Sequence, residues 1–269
     1  VTEFEANKVY WLVVALTKQG GAELAESDLA ASDVDLTNEY TEEQMVYDDG
    51  LWWVSYKLKP LEASAPTLYN VWVAGTQVTS ANASDVLGDG AASYNPTTNT
   101  LTVKKNITAT DAIAIKASTT ENFNVAFANN ATISASNAMG IYSEISSLNI
   151  TGKEISVSAS SVAIQGYNDV TISCDKLTVE STNSGGINAA NGIATINGSE
   201  NSVIVINALN GDAIQGYNGI AIAGGKLDIT GKYGMYSYAG ATALTVKEIN
   251  IEMVELIMEY FRKNPYVEV

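Results

Sequence analysis

The chain has 269 residues with 46 % hydrophobic side chains, enough to bury a large core and to exclude wholesale disorder. Fourteen basic against 30 acidic side chains give a net charge of −16, which repels phosphate backbones and anionic lipid, so neither nucleic acid nor a membrane is expected as a partner. Zero histidines, one arginine (Arg262) and one cysteine (Cys174) exclude histidine triads, His- or Cys-rich metal sites and any intramolecular disulfide.

Residues 1–60 carry 12 acidic and 4 basic side chains, which is half of the net charge. Within them Val9 to Leu16 (VYWLVVAL) and Leu51 to Leu58 (LWWVSYKL) read as strands, the second alternating with period two. The first run is far too short to span a membrane. An acidic stretch with Glu42-Glu43 and a turn at Asp48-Asp49-Gly50 separates the two, and Lys59-Pro60 stops the pattern. Val1-Thr2-Glu3 reads as the interior of a longer protein, with secretion and anchoring signals outside the sequence given. Ala63-Ser64-Ala65-Pro66 is a short linker. Leu68 to Thr79 (LYNVWVAGTQVT) then places two strand halves around Ala74-Gly75, a hairpin signal. Val86-Leu87-Gly88-Asp89-Gly90 is a loop, and Tyr94 to Val103 reads as strand, proline turn and strand.

From about residue 110 the chain repeats itself. Gly140-Ile141 leads to Leu148-Asn-Ile150 and Ile155-Ser-Val157; Ala163-Ile164 leads to Val170-Thr-Ile172 and Leu177-Thr-Val179. Gly186-Ile187 leads to Ile196 and Ile204-Val-Ile206 with a few extra residues in the turn, and Ala213-Ile214 to Ile220-Ala-Ile222 and Leu227-Asp-Ile229. Met235, Leu244-Thr-Val246 and Ile251-Glu-Met253 close the series, and a less regular turn with Ile115, Val125 and Ile133 precedes it. The spacing from Ile141 to Ile164 to Ile187 is 23 and 23 residues, then 27 to Ile214. A period near 23 built from three apolar-x-apolar strands is a solenoid pattern, because inward side chains of one coil are covered only by the next. The expected fold is all-β: a right-handed parallel β-helix of about six coils over 106–253, preceded by hairpins over 66–105 and a small sandwich over 1–62. Val254, Ile257, Met258 and Phe261 fall on one helical face before Asn264-Pro265, which predicts a short closing helix over 254–264.

The hexapeptide Ala163-Ile-Gln-Gly-Tyr-Asn168 recurs as Ala213-Ile-Gln-Gly-Tyr-Asn218, with Gly186-Ile-Asn-Ala-Ala-Asn191 between them. Asn168, Asn191 and Asn218 are expected to stack at one turn as a structural amide ladder, and Gln165, Asn188 and Gln215 to form a second, exposed amide row. Tyr167 and Tyr217 then lie two coils, roughly 10 Å, apart on one face, with Tyr236 and Tyr238 near the same register. Exposed rings beside amides are suited to sugars, whose apolar faces pack on the ring while hydroxyls take the polar partners. Tyr167, Tyr217, Gln165, Gln215, Tyr236 and Tyr238 are therefore the candidate carbohydrate-binding residues. Asp169, Asp175, Asp212 and Asp228 are candidate calcium ligands with turn carbonyls, although no calcium motif is spelled out, and solvated charge is the simpler reading. Cys174 reads as a free thiol.

Two resemblances add to this. Residues 1–62 are similar to part of an immunoglobulin-like sandwich of bacterial surface proteins. Val71 to Val103 resembles an opening segment of surface proteins of gut Firmicutes, YxLxVGGxxVTSxNxxDVLGDGxxSYDPxTNTLTL, departing at Ala74 and Asn95. The coils that follow resemble the bacterial carbohydrate-binding β-helix family, Ala213 to Ile229 with Gly224-Gly225-Lys226-Leu227 fitting best. The resemblance implies a monomeric, secreted or wall-attached module that binds a polysaccharide or host or cell-wall glycan along one β-helix face, with calcium an option and no required cofactor. A cell-surface adhesin or spacer that binds no glycan is the rival reading. Catalysis is not expected. The lyases and hydrolases of this fold use an arginine or lysine base, or Asp pairs with His and Arg, and the coils lack both His and Arg.

Overall fold

A computed structural model describes residues 8–16, 40–48, 51–58 and 65–253, and among these the chain is all strand, turn and bend. It divides into two compact units, Val1–Ala65 and Pro66–Val269.

In the first unit β1 (Trp11–Leu16), β2 (Tyr40–Asp48) and β3 (Leu51–Leu58) form an antiparallel sheet in the order β1-β3-β2. Alternation along β3 buries Val54 and Tyr56 and leaves Trp53 exposed. The described residues of this unit make this one sheet.

The second unit opens with the hairpin read from the sequence, β4 (Leu68–Val73) and β5 (Thr76–Thr79) around Ala74-Gly75. Both turn residues have positive φ, +46° and +82°, the geometry of the two-residue hairpin turn that matches strand twist. An alanine there crowds its Cβ against the following carbonyl. Ala74→Gly is accordingly expected to raise the unfolding free energy by about 0.5–1 kcal/mol, the left-handed penalty less the added freedom of the unfolded chain. An unchanged or lower urea midpoint would contradict that account of the turn.

β6 (Ala92–Asn95) and β7 (Thr100–Val103) form the next hairpin, and the coils then stack. Three-residue strands make a narrow face: β9 (Ile115–Ala117), β12 (Ile141–Ser143), β15 (Ile164–Gly166), β18 (Ile187–Ala189), β21 (Ile214–Gly216) and β23 (Met235–Ser237), all parallel. A second face stacks β7, β10 (Phe123–Phe127), β13 (Leu148–Gly152), β16 (Val170–Ser173) and β19 (Ile193–Asn197). The third stacks β8 (Ile107–Ala109), β11 (Ala131–Ala135), β14 (Glu154–Ala159), β17 (Lys176–Ser181) and β20 (Val203–Ala208). In the last two coils the second and third strands run on as one, β22 (Gly219–Gly231) and β24 (Thr242–Met253). This is the expected parallel β-helix of about six coils. β4 pairs antiparallel with β9 and covers the first coil's edge on the narrow face.

The isoleucine column is as read: Ile141 pairs with Ile164, Ile164 with Ile187 and Ile187 with Ile214, each at most 1 % exposed. Two further columns, Val125-Ile150-Ile172-Ile196-Ile222 and Ile133-Val157-Val179-Ile206-Ile229, fill the other corners of the triangular core. The extra residues before β20 form a turn that Ser202 N closes onto Ser199 O. Two sequence readings need correction. In the last coil, Thr242 rather than Leu244 lies opposite Ile220, and Ile249 rather than Ile251 lies opposite Leu227. The asparagine ladder also works differently: Asn191 and Asn218 donate their side-chain amides to the backbone carbonyls of Tyr167 and Asn191 at 3.0 and 2.7 Å, not to one another's side chains. The expected helix over 254–264 lies outside the described residues.

Candidate functional site

The narrow face is where the sequence-predicted residues meet. In a three-residue strand the first and third side chains point inward and the middle one outward. The outward positions form one column running Lys116, Tyr142, Gln165, Asn188, Gln215, Tyr236 from coil to coil. Trp72 of β4 continues it past Lys116, whose ammonium lies 5.4 Å from the indole. The residue two places on points outward as well. Tyr167 N donates to Ser143 O, Ala190 N to Gly166 O and Tyr217 N to Ala189 O, all at 3.0 Å. These bonds set a second column of Glu144, Tyr167, Ala190 and Tyr217. Tyr238, one place after Ser237, completes it, since Ser237 pairs with Gly216.

The result is a plate two side chains wide, on which Gln165, Tyr167, Gln215, Tyr217, Tyr236 and Tyr238 all lie. Tyr167, Tyr217 and Tyr238 are 49 %, 40 % and 63 % exposed, while the three amides of the first column, Gln165, Asn188 and Gln215, are half-buried rather than fully exposed. Tyr217 and Tyr238 stack, with centroids 5.0 Å apart and planes 17° from parallel. Asn188 Oδ1 is buried and has no hydrogen-bond partner. The sequence reading did not include Trp72, Lys116 or Glu144, which extend the plate at its first coils. The pairing of β4 with β9 and of β9 with β12, and the bond from Tyr167 N to Ser143 O, place them there.

Charge sits at one end of the plate. Lys116 Nζ and Glu144 Oε2 pair at 3.0 Å, and that hydrogen bond holds the Glu144 carboxyl below the usual carboxylate range. The rows from Gln165 to Tyr238 carry amides, phenols and an alanine, without a carboxylate or ammonium in either column. Three of the four solenoid aspartates singled out as calcium candidates accept hydrogen bonds between coils. Asp169 Oδ1 accepts Ile193 N at 2.8 Å, Asp228 Oδ1 accepts the Asn250 amide at 3.1 Å, and Asp175 Oδ1 accepts the Ser199 hydroxyl at 3.4 Å. Burial raises Asp212 above its ordinary value. Among the described residues, no three Asp, Glu, Cys or His side chains gather in a group fit to hold a metal ion. Cys174 is buried, and burial with the Asp175 charge pushes its thiol up to about 11, so it stays protonated.

The other faces offer less. The third carries an open depression of about 260 Å³ lined by Thr132, Ser156, Thr178 and the exposed pair Lys176–Glu154, whose closest atoms are 3.8 Å apart. A solvated ion pair of this kind contributes little. The outward positions of the second face are mostly Thr, Asn, Ser and Ala, with Asn149 Nδ2 donating to Asn124 Oδ1 at 3.0 Å.

No protein-family model, no curated protein and no solved structure matches the chain. No helix among the described residues is long and apolar enough to cross a membrane.

Proposed function

We propose that the chain is a non-catalytic, extracellular surface module that binds a polysaccharide on the narrow face of its β-helix. The observation that carries this reading is the plate of Tyr167, Tyr217 and Tyr238 beside Gln165, Gln215 and Tyr236. Exposed phenol rings stand next to side chains that both donate and accept hydrogen bonds, which is the pairing a sugar needs for its two kinds of surface. Large aromatic side chains left at 40–63 % exposure cost water contact that a ligand removes. The acidic remainder of the chain keeps the module apart from polyanions, and an acidic glycan would need calcium to bridge it.

The test is a glycan array with and without calcium, followed by titration of Tyr167→Ala/Tyr217→Ala. Each lost ring removes on the order of 1 kcal/mol of stacking with its buried area besides, so the double variant is expected to bind at least about 30-fold more weakly. Equal binding by wild type and double variant rules out this face. Saturable binding to none of the glycans would instead leave a structural spacer of the cell surface.

A further inference from the structure

The tyrosine column is a stack with one ring left out. Where rings occupy consecutive coils, at Tyr217 and Tyr238, they lie 5.0 Å apart and nearly parallel, which is one strand spacing along the solenoid. Tyr167 and Tyr217 are two spacings apart, about 10 Å, because the coil between them carries Ala190. The side chain at that row is a methyl group between two phenol rings. Its neighbour in the adjacent column is Asn188, with Gln165 on one side and Gln215 on the other.

We propose that this gap over Ala190 is a subsite for a single neutral pyranose ring, held with one face toward Tyr167 and the other toward Tyr217. The proposal rests on the polysaccharide reading above and specifies it. Spacing is the first argument: two van der Waals contacts of about 4 Å, one to each tyrosine, plus the pucker of a saturated ring, come to about the separation available. The second is polarity. A ring seated there puts its equatorial hydroxyls toward Gln165, Asn188 and Gln215. Asn188 Oδ1 is buried without a partner, and the soft last torsion of an asparagine side chain lets it turn to accept from a hydroxyl. A plain aromatic guest would fill the same space and leave those amides unused. The third is charge. Neither column holds a carboxylate or ammonium from Gln165 to Tyr238, so the face offers no ionic partner for a uronate and no carboxylate to anchor a bridging cation.

The arrangement also sets a direction. A sugar whose faces point along the solenoid axis has its glycosidic bonds in the perpendicular plane, so the polymer crosses the face instead of following it.

The experiment uses the whole chain and a panel of neutral hexasaccharides of gluco, manno, galacto and xylo configuration, with an oligogalacturonate and p-nitrophenol as the charged and aromatic arms. Ala190→Tyr fills the gap with the residue that neighbouring coils already carry at that row, and Ala190→Leu fills it without a ring. Wild type is expected to bind one neutral hexasaccharide, unaffected by EDTA. Both filled variants are expected to bind at least tenfold more weakly while melting at the wild-type temperature. If the filled variants bind as wild type does and Tyr167→Ala/Tyr217→Ala does not, the face binds sugar but the gap is not its subsite. Binding of oligogalacturonate with calcium alone, or of p-nitrophenol alone, overturns the neutral-sugar assignment. Binding of none of the probes overturns the polysaccharide reading with it.

Discussion

Ile164→Asp should leave the chain without its β-helix. Ile164 is wholly buried and pairs with Ile141 below and Ile187 above in one continuous column. A carboxylate there has neither water nor a cation, because the three inward columns around it are isoleucine and valine and the buried polar side chains among the described residues are serines. Desolvating an unpaired charge costs several kcal/mol, and loss of the isoleucine packing adds about 2–5 kcal/mol. The sum is of the order of a domain's whole stability of about 5–15 kcal/mol. In a solenoid each coil is held by its neighbours, so the damage spreads to both. The expected result is loss of the β signal in circular dichroism and rapid proteolysis at neutral pH. Thr171→Asp, one position along the outer surface of β16, should fold normally. A folded Ile164→Asp would show that the column is not the core.

Gly186→Val should also be strongly destabilising, for a reason of shape rather than charge. The residue before each narrow strand alternates Ala114, Gly140, Ala163, Gly186, Ala213, Gly234 from coil to coil. A Cβ built on Gly186 would stand 2.5 Å from Ala213 O and 2.8 Å from Ile206 Cγ2, and one on Gly140 would stand 2.4 Å from Ala163 O. The obstacle is backbone, fixed by the ladder bond from Ile187 N to Ala213 O at 2.9 Å, so no rotamer change relieves it. A branched side chain must push two coils apart, at a cost on the order of 3 kcal/mol. The measurement is the shift of the denaturant midpoint, with Gly186→Ala expected to fall between wild type and Gly186→Val. A valine variant as stable as wild type would mean that the coils are less closely stacked at this corner than the contact implies.

These cases separate what residues announce from what neighbours impose. The solenoid was readable because one coil cannot bury its own inward side chains. The sequence must repeat Ile, Val and Leu at the coil period, and Ile141, Ile164, Ile187 and Ile214 stand out as a result. Register in the last coil was not readable. β24 alternates apolar and polar over Leu244 to Val246 and again over Ile249 to Met253. A slip of two residues therefore keeps every side chain on its proper face, and only the hydrogen-bond ladder to β22 fixes Thr242 opposite Ile220. The same holds for the asparagine turn. Its spacing shows that Asn191 and Asn218 share a corner, but whether each amide meets a side chain or a carbonyl depends on the offset between coils.

The candidate site divides along the same line. Duplication of Ala-Ile-Gln-Gly-Tyr-Asn put Tyr167, Tyr217, Gln165 and Gln215 on one face before any coordinates, since in-register stacking of equal sequences brings equal residues together. The plate's first coils, with Lys116 and Glu144 ending it in a charge pair, needed the pairing of β9 with β12 and of β12 with β15. Ala190 is the clearest instance. As a letter in a sequence it is a small residue in a turn. Its meaning comes from the two coils that flank it, which carry tyrosines at the row positions one strand spacing away on either side, and side-chain neighbours across coils are set by the stacking of the backbone. Composition and period determined the class of fold, the inward columns and the exclusion of histidine or arginine chemistry from the coils. The tertiary structure alone decided which outward residues touch, because contacts between residues far apart in the chain are properties of the register and not of the residues.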